Sequence, residues 1–246
     1  MPTPSSTPDT AAAAASGGAA ERLGAVHARL AAAALAAGRE PSGITLVAVS
    51  KMQPAAAVAA LAALGQRDFG ENYLQEALPK IEALRPLGLV WHFIGQLQSN
   101  KTRPVAEHFD WVHTVDRVKL AERLAAQRPF HAPPLQVCVQ VRLEEEPGKG
   151  GATAAELPAV LAAVAASPRL RLRGLMAIPP PEDRPAAQRR WFAALARSFA
   201  GALPEHPGMD TLSMGMSGDL EAAVAEGATM VRAGTALFGE RLQSGA

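Results

Sequence analysis

The feature that most constrains this chain is an alternation of short apolar runs with Ala- and Leu-rich stretches, kept up from residue 44 nearly to the end. The candidate strand runs are 44–51 (ITLVAVSK), 67–72 (RDFGEN), 89–95, 111–116, 135–142, 172–180, 211–217 and 229–239. Between them, stretches near 54–64, 73–85, 99–107, 117–128, 153–166, 185–202 and 218–227 carry Ala, Leu, Glu and Arg with a polar face, as helices do. Eight strands alternating with helices in this way predict an α/β fold, a single (β/α)8 (TIM) barrel. An open doubly wound sheet makes a similar alternation, but it usually carries a Gly-rich phosphate turn after its first strand. Here SKMQP (50–54) fills that turn without a glycine.

At the N-terminus, residues 1–18 are rich in Pro, Ser, Thr, Ala and Gly and hold nothing large enough to offset the entropy of ordering, so they are expected to be a disordered tail. The barrel domain is then expected over 19–246. From Glu21 to about Ala37, Leu23, Val26, Leu30 and Leu35 recur three to five residues apart, and Gly38 before Pro41 predicts the stop of an N-terminal helix.

Charge and cysteine content narrow the partners. Lys and Arg number 24 against 23 Asp and Glu, a net charge of +1 that favours neither nucleic acid nor a membrane surface. The single Cys138 makes no internal disulfide and no metal-ligand cluster, which suits the cytoplasm. The Ala tract 11–15 is short, weakly hydrophobic and preceded by no Lys or Arg, unlike a signal peptide, and no run is long enough for a membrane span.

In such a barrel the chemistry gathers at the C-terminal ends of the strands. The first run ends in Lys51, whose amine, desolvated at a hydrophobic strand mouth, can attack an aldehyde. The second ends in FGEN, where Gly70 permits a close backbone approach and Asn72 offers an amide or caps the next helix. The third carries His92, a structural side chain by default, and ends at Gly95. The seventh gives SMGMSGD, with Ser213, Gly215, Ser217 and Gly218, and the eighth gives Arg232, Gly234 and Thr235. Phosphate sites of these barrels often lie after strands seven and eight. A lysine able to form an imine and a phosphate cradle on one barrel mouth are the two grips that pyridoxal 5′-phosphate (PLP) needs. Arg232 would lie between them, near the pyridine nitrogen. As a permanent donor it would keep that ring unprotonated and a weak electron sink, unlike the carboxylate of transaminase-type sites.

The segments LVAVSKMQP, DFGENYLQE, WHFIGQLQSNK, RLRGLMAIPP and DTLSMGMSGDLEAAVAEGATMVRAGTALFG closely resemble the pyridoxal phosphate homeostasis protein family, over about residues 44–240. The resemblance implies a PLP barrel of fold-type III, similar to the N-terminal domain of alanine racemase, with Lys51 as the Schiff-base lysine. It also implies Asn72 near the cofactor, Arg232 facing the ring nitrogen, and phosphate contacts from Ser217, Gly234 and Thr235. Ser213, Met214 and Met176 match further family positions at the cofactor. One departure is Lys149-Gly150-Gly151, where the family usually has Lys-Ser-Gly. The family is associated with binding, buffering or delivering PLP in vitamin B6 balance, with no established reaction.

Racemisation needs two acid/base groups on opposite faces of the substrate. In racemases of this type the second is a tyrosine from a further domain, for which 246 residues leave no room, and the only tyrosine here is Tyr73. A PLP carrier without catalysis, in the cytoplasm and as a monomer, with PLP-dependent apoenzymes as recipients, is therefore the expectation. A weak PLP-dependent amino-acid racemase and a lysine Schiff-base aldolase acting on a sugar phosphate remain the alternatives.

Overall fold

The eight apolar runs become the eight strands of a closed, all-parallel barrel in the order β1 to β8. In the computed structural model, which describes residues 8–144 and 150–239 with side chains from residue 18 onward, the strands are β1 Thr45–Val49, β2 Asp68–Glu71, β3 Val90–Phe93 and β4 Trp111–Val115. They continue with β5 Leu135–Gln140, β6 Leu170–Met176, β7 Thr211–Ser213 and β8 Met230–Ala233. The barrel closes where Thr45 to Ala48 pair with Met230 to Ala233.

Side chains alternate between the helices and the barrel axis. Leu46, Phe69, Trp91, Phe93, Val112, Val137, Leu175, Leu212 and Val231 belong to the continuous apolar layer beneath the helices. Val47, Cys138, Met176 and Met230 are equally buried but stand apart from that layer, on the opposite parity of their strands. The helices that cover the barrel are α2 Ala55–Ala63, α3 Leu74–Ala83, α4 Thr102–His108, α5 Val118–Gln127, α6 Leu157–Ala165, α7 Pro185–Ala202, α8 Leu220–Ala225 and α9 Thr235–Phe238.

Three strand runs extend four or more residues past the end of their strands. β6 stops at Met176 because Pro179, Pro180 and Pro181 follow and have no N–H for a ladder. β7 stops at Ser213 because Gly215 turns the chain with φ 91°, and an added Cβ there would sit 2.5 Å from that of Ala223. β8 stops at Ala233, and the last part of its run forms the short helix α9.

The N-terminal helix α1 spans Pro8–Ala36, so it starts well before Glu21 and takes in much of the stretch expected as a tail, while residues 1–7 lie outside the described residues. Its buried positions are Leu23, Val26, Leu30 and Ala34. Leu35, expected on that face, is 66% exposed, because one further residue rotates it by about 100° from the seam. Arg22 donates to the carbonyl of Leu237 at 2.7 Å, and Arg39 to that of Val224 at 2.9 Å. Among the described residues no helix is long and apolar enough to cross a membrane.

Candidate functional site

Lys51 stands two residues past the end of β1, at the start of a strained turn. Met52 has φ 62°, a left-handed conformation that costs a non-glycine residue on the order of 1 kcal/mol. The turn is held by two hydrogen bonds: the Met52 N–H donates to Glu76 Oε2 at 2.7 Å, and the Gln53 N–H to the Ser50 carbonyl at 3.1 Å. Behind it lies a buried ionic knot. Lys80 Nζ on α3 donates to Glu71 Oε1 and to the carbonyl of Ser50, each at 2.7 Å, and Ser50 Oγ donates to the same Glu71 oxygen at 2.6 Å. Burial pushes the Glu71 carboxyl above its ordinary value in spite of Lys80 and Ser50. Lys51 itself makes no hydrogen bond or ion pair among the described residues and lines a cavity of about 280 Å³ at the C-terminal mouth of the barrel.

Asn72 reaches the same cavity from the end of β2. Its backbone sits close against β3, where only glycine fits: a Cβ on Gly95 would lie 2.1 Å from the Asn72 carbonyl oxygen. Among the described residues, Asn72 Oδ1 is buried without a hydrogen-bond partner. Tyr73, the next residue, is 52% exposed and lies outside this cavity.

The opposite wall comes from the segments after β7 and β8, which supply Ser217, Gly218, Gly234 and Thr235. Among the described residues the backbone N–H groups of Ser217, Gly218 and Thr235 have no partner, so they are free donors for an anion. Ser217 Oγ accepts weakly from the Ala236 N–H at 3.5 Å, which ties the two segments together. Arg29 of α1 holds the first of them by donating to the Ser217 carbonyl at 3.0 Å while pairing with Glu221.

Arg232 forms part of the floor. It is 3% exposed, and donates through one terminal nitrogen to Ser213 Oγ at 2.7 Å and through the other to the Ala177 carbonyl at 3.0 Å. Burial pulls its guanidinium down to about 10, which still leaves it charged at neutral pH.

Of the nine residues that the resemblance implies at the cofactor, the structure thus brings Lys51, Asn72, Ser217, Arg232, Gly234 and Thr235 to one cavity. Ser213, Met214 and Met176 are fully buried and do not line it; Ser213 acts beneath the floor, on Arg232. Lys149 lies outside the described residues, while the Gly151 N–H faces Asp116 Oδ2 at 3.4 Å. Sequence reasoning missed the apolar walls Ile94, Ile178, Met216 and Phe238, and Gln53. Their only signal was position, a residue or a few beyond a strand end.

A closed parallel barrel with this mouth defines a class, and residues 22–242 match the family described as alanine racemase, N-terminal domain. The alanine racemase of Corynebacterium glutamicum shares the fold at a TM-score of 0.65 and 20% identity, over 91% of this chain and 63% of that one. Much nearer is the pyridoxal phosphate homeostasis protein of Pseudomonas aeruginosa, 59% identical over 222 residues, covering 90% of this chain and 95% of the other. The protein of the same name from Escherichia coli K12 is 54% identical over 225 residues, 90% of this chain and 96% of that one. PipY of Synechococcus elongatus PCC7942, solved with PLP bound, superimposes with a TM-score of 0.79 at 41% identity, over 90% of this chain and all of PipY. The chain belongs to the pyridoxal phosphate homeostasis protein family.

Proposed function

We propose that this chain binds PLP at the cavity below Lys51 and serves to buffer or deliver it in the cytoplasm without catalysing a reaction. The observation that carries the reading is the convergence of a free lysine amine, a buried guanidinium and three free backbone N–H groups on one cavity. Each matches one part of the cofactor: the amine its aldehyde, the N–H groups with Ser217 and Thr235 its phosphate, Arg232 its ring nitrogen. The buried, unpartnered Asn72 Oδ1 is an acceptor for a donor such as a ring hydroxyl. When bound, PLP supplies an electron-withdrawing ring conjugated to an imine. Arg232 acts against strong use of that ring, since a guanidinium donates a hydrogen bond and gives up no proton.

The carrier reading over racemisation rests on the lining of the cavity. Among the described residues its titratable side chains are Lys51 and Arg232, and a guanidinium does not serve as a base, so the lining offers one amine where racemisation needs two acid/base groups. Ile178 and Met216, 47% and 41% exposed at the mouth, leave it open for entry and release. PLP-dependent apoenzymes are the recipients that a carrier implies, and a monomer is the state proposed for it.

The test is an absorbance spectrum of the purified chain with added PLP, before and after borohydride, followed by peptide mass mapping. A visible band that borohydride traps on Lys51 is expected, with no turnover of D- or L-amino acids. No band and no trapped lysine would refute the binding; turnover would refute the carrier.

A further inference from the structure

The interior of such a barrel is ordinarily filled by layers of branched apolar side chains. Here a chain of polar groups crosses it. Asp68, the first residue of β2, lies near the N-terminal end of the barrel with its side chain 26% exposed. Its Oδ1 is 2.9 Å from His92 Nε2, His92 Nδ1 is 3.0 Å from His113 Nε2, and His113 Nδ1 is 2.8 Å from Ser213 Oγ. Ser213 Oγ in turn accepts from Arg232 at 2.7 Å. Both histidines and Ser213 are fully buried. The plane of His92 is set by Trp111, stacked at 5.4 Å and 17°, and Trp111 is capped on its ring by Arg173 at 4.7 Å.

The two ends of this chain fix the direction of every bond in it. A carboxylate only accepts and a guanidinium only donates. His92 therefore gives its Nε2 proton to Asp68, which leaves Nδ1 as an acceptor. His113 gives its Nε2 proton to that acceptor, which leaves its own Nδ1 free to accept the Ser213 hydroxyl proton. Ser213 then turns a lone pair to Arg232. With the reverse orientation Ser213 Oγ would accept from both His113 and Arg232, and its own proton would have no acceptor among the described residues. Both rings are neutral in this arrangement. For His113 that agrees with burial, together with the nearby His92 and Arg232, holding it well below the usual histidine value. The other groups acting on Arg232 are Asp219, before α8, and the Cys138 thiol on β5, whose ionisation burial pushes up to about 12.

We propose that Asp68, His92, His113 and Ser213 are positioning residues, a one-way hydrogen-bond relay through the barrel core that fixes the Arg232 guanidinium at the cavity floor. Its bearing on the cofactor rests on the function proposed above; the proton positions do not. A charge at one end of the barrel thus sets which lone pair is offered to the cationic group at the other, through three buried side chains.

Long-range ¹⁵N–¹H spectra of the histidine-labelled full chain, without PLP and at neutral pH, test the relay directly. His92 and His113 are expected as neutral rings carrying the proton on Nε2. Asp68→Ala should lose that single tautomer at both rings, and Asp68→Asn, which keeps an acceptor oxygen, should restore it. A proton on Nδ1 of His113 in the parent, or unchanged tautomers in Asp68→Ala, would overturn the proposal. With PLP added, Asp68→Ala should still be trapped on Lys51 but bind roughly threefold to tenfold more weakly, with a shifted visible band. An unchanged band and affinity would remove the relay from any role at Arg232. Should the parent show no band, the PLP reading fails and the tautomers alone decide the relay.

Discussion

Replacing Lys80 with Met is the sharpest test of how the Lys51 turn is built. The side chain is only 9% exposed, and its partner Glu71 is fully buried, with Oε1 shared between Lys80 and Ser50 and Oε2 without any partner. Methionine fills much the same volume but removes the cation. Glu71 must then stay ionised and unpaired, which costs about 3–5 kcal/mol, or take up a proton. Protonation at pH 7 costs about 3–4 kcal/mol for a carboxyl at its ordinary value near 4.3 and less for Glu71, which burial already raises, so the cheaper route sets a loss of up to that size. The sign with pH follows from the same linkage. Loss of the cation raises the folded-state value of Glu71 further above its already raised parent value, so the penalty is largest at neutral pH and shrinks by about 1.4 kcal/mol per unit as the pH falls towards the parent's value. Urea unfolding of parent and Lys80→Met at pH 5 and pH 7 measures both quantities. A loss under about 1 kcal/mol at pH 7, or one independent of pH, would refute the assignment of Glu71 as a buried, lysine-compensated carboxylate. Lys80→Met/Glu71→Gln should recover most of the loss at neutral pH.

Lys51→Ala should abolish the borohydride-trapped band yet leave noncovalent PLP binding through the segments after β7 and β8; unchanged trapping would exclude Lys51. Arg232→Glu sets a carboxylate where the ring nitrogen would meet a donor, so the bound spectrum should move towards a protonated ring, and a spectrum identical to the parent's would contradict its placement. Gly95→Ala pushes a methyl to 2.1 Å from the Asn72 carbonyl oxygen; it should lower stability by about 1–3 kcal/mol in urea titration and weaken PLP binding. Cys138 keeps its proton to about pH 12 in the fold, against 9.0 when exposed. The folded state therefore binds the extra proton, which contributes a fall in stability of up to about 1.4 kcal/mol per unit between those limits; Cys138→Ala should remove that contribution and leave the slopes of the other groups titrating there, Arg232 among them.

Much of this structure is legible in the chain because barrel strands buried on both faces are simple apolar runs, and each of the eight lands on its run. The ends were harder to read. Met230 to Phe238 reads as one run in spite of Arg232 and Thr235, and the backbone break at Gly234 divides it into β8 and α9. In α1 the sequence favours Leu35 for its bulk, whereas the continuous helical seam uses Ala34. Lys51, Asn72 and Arg232 stand out because strand ends are where barrels hold chemistry. His113 does not: in WVHTVD it looks like any strand residue, and its meaning comes from Ser213, 100 positions away. His92 reads alone as a structural histidine, and only the closed barrel shows that it spans the space between Asp68 and His113.

The contacts of α1 bear on how the molecule comes into being. Arg29 reaches the Ser217 carbonyl and Arg22 that of Leu237, across 188 and 215 positions of chain, and β1 finds its second neighbour only in β8. A ribosome therefore releases Lys51 long before the segments that complete its cavity, and the earliest helix must wait for the last strand before its apolar face is covered. Such long-range closure makes for slow, late assembly. PLP capture would then report a finished chain: a product cut short before Thr235 has the lysine but lacks Thr235 itself and α9, the part of the α1 seat that Arg22 holds.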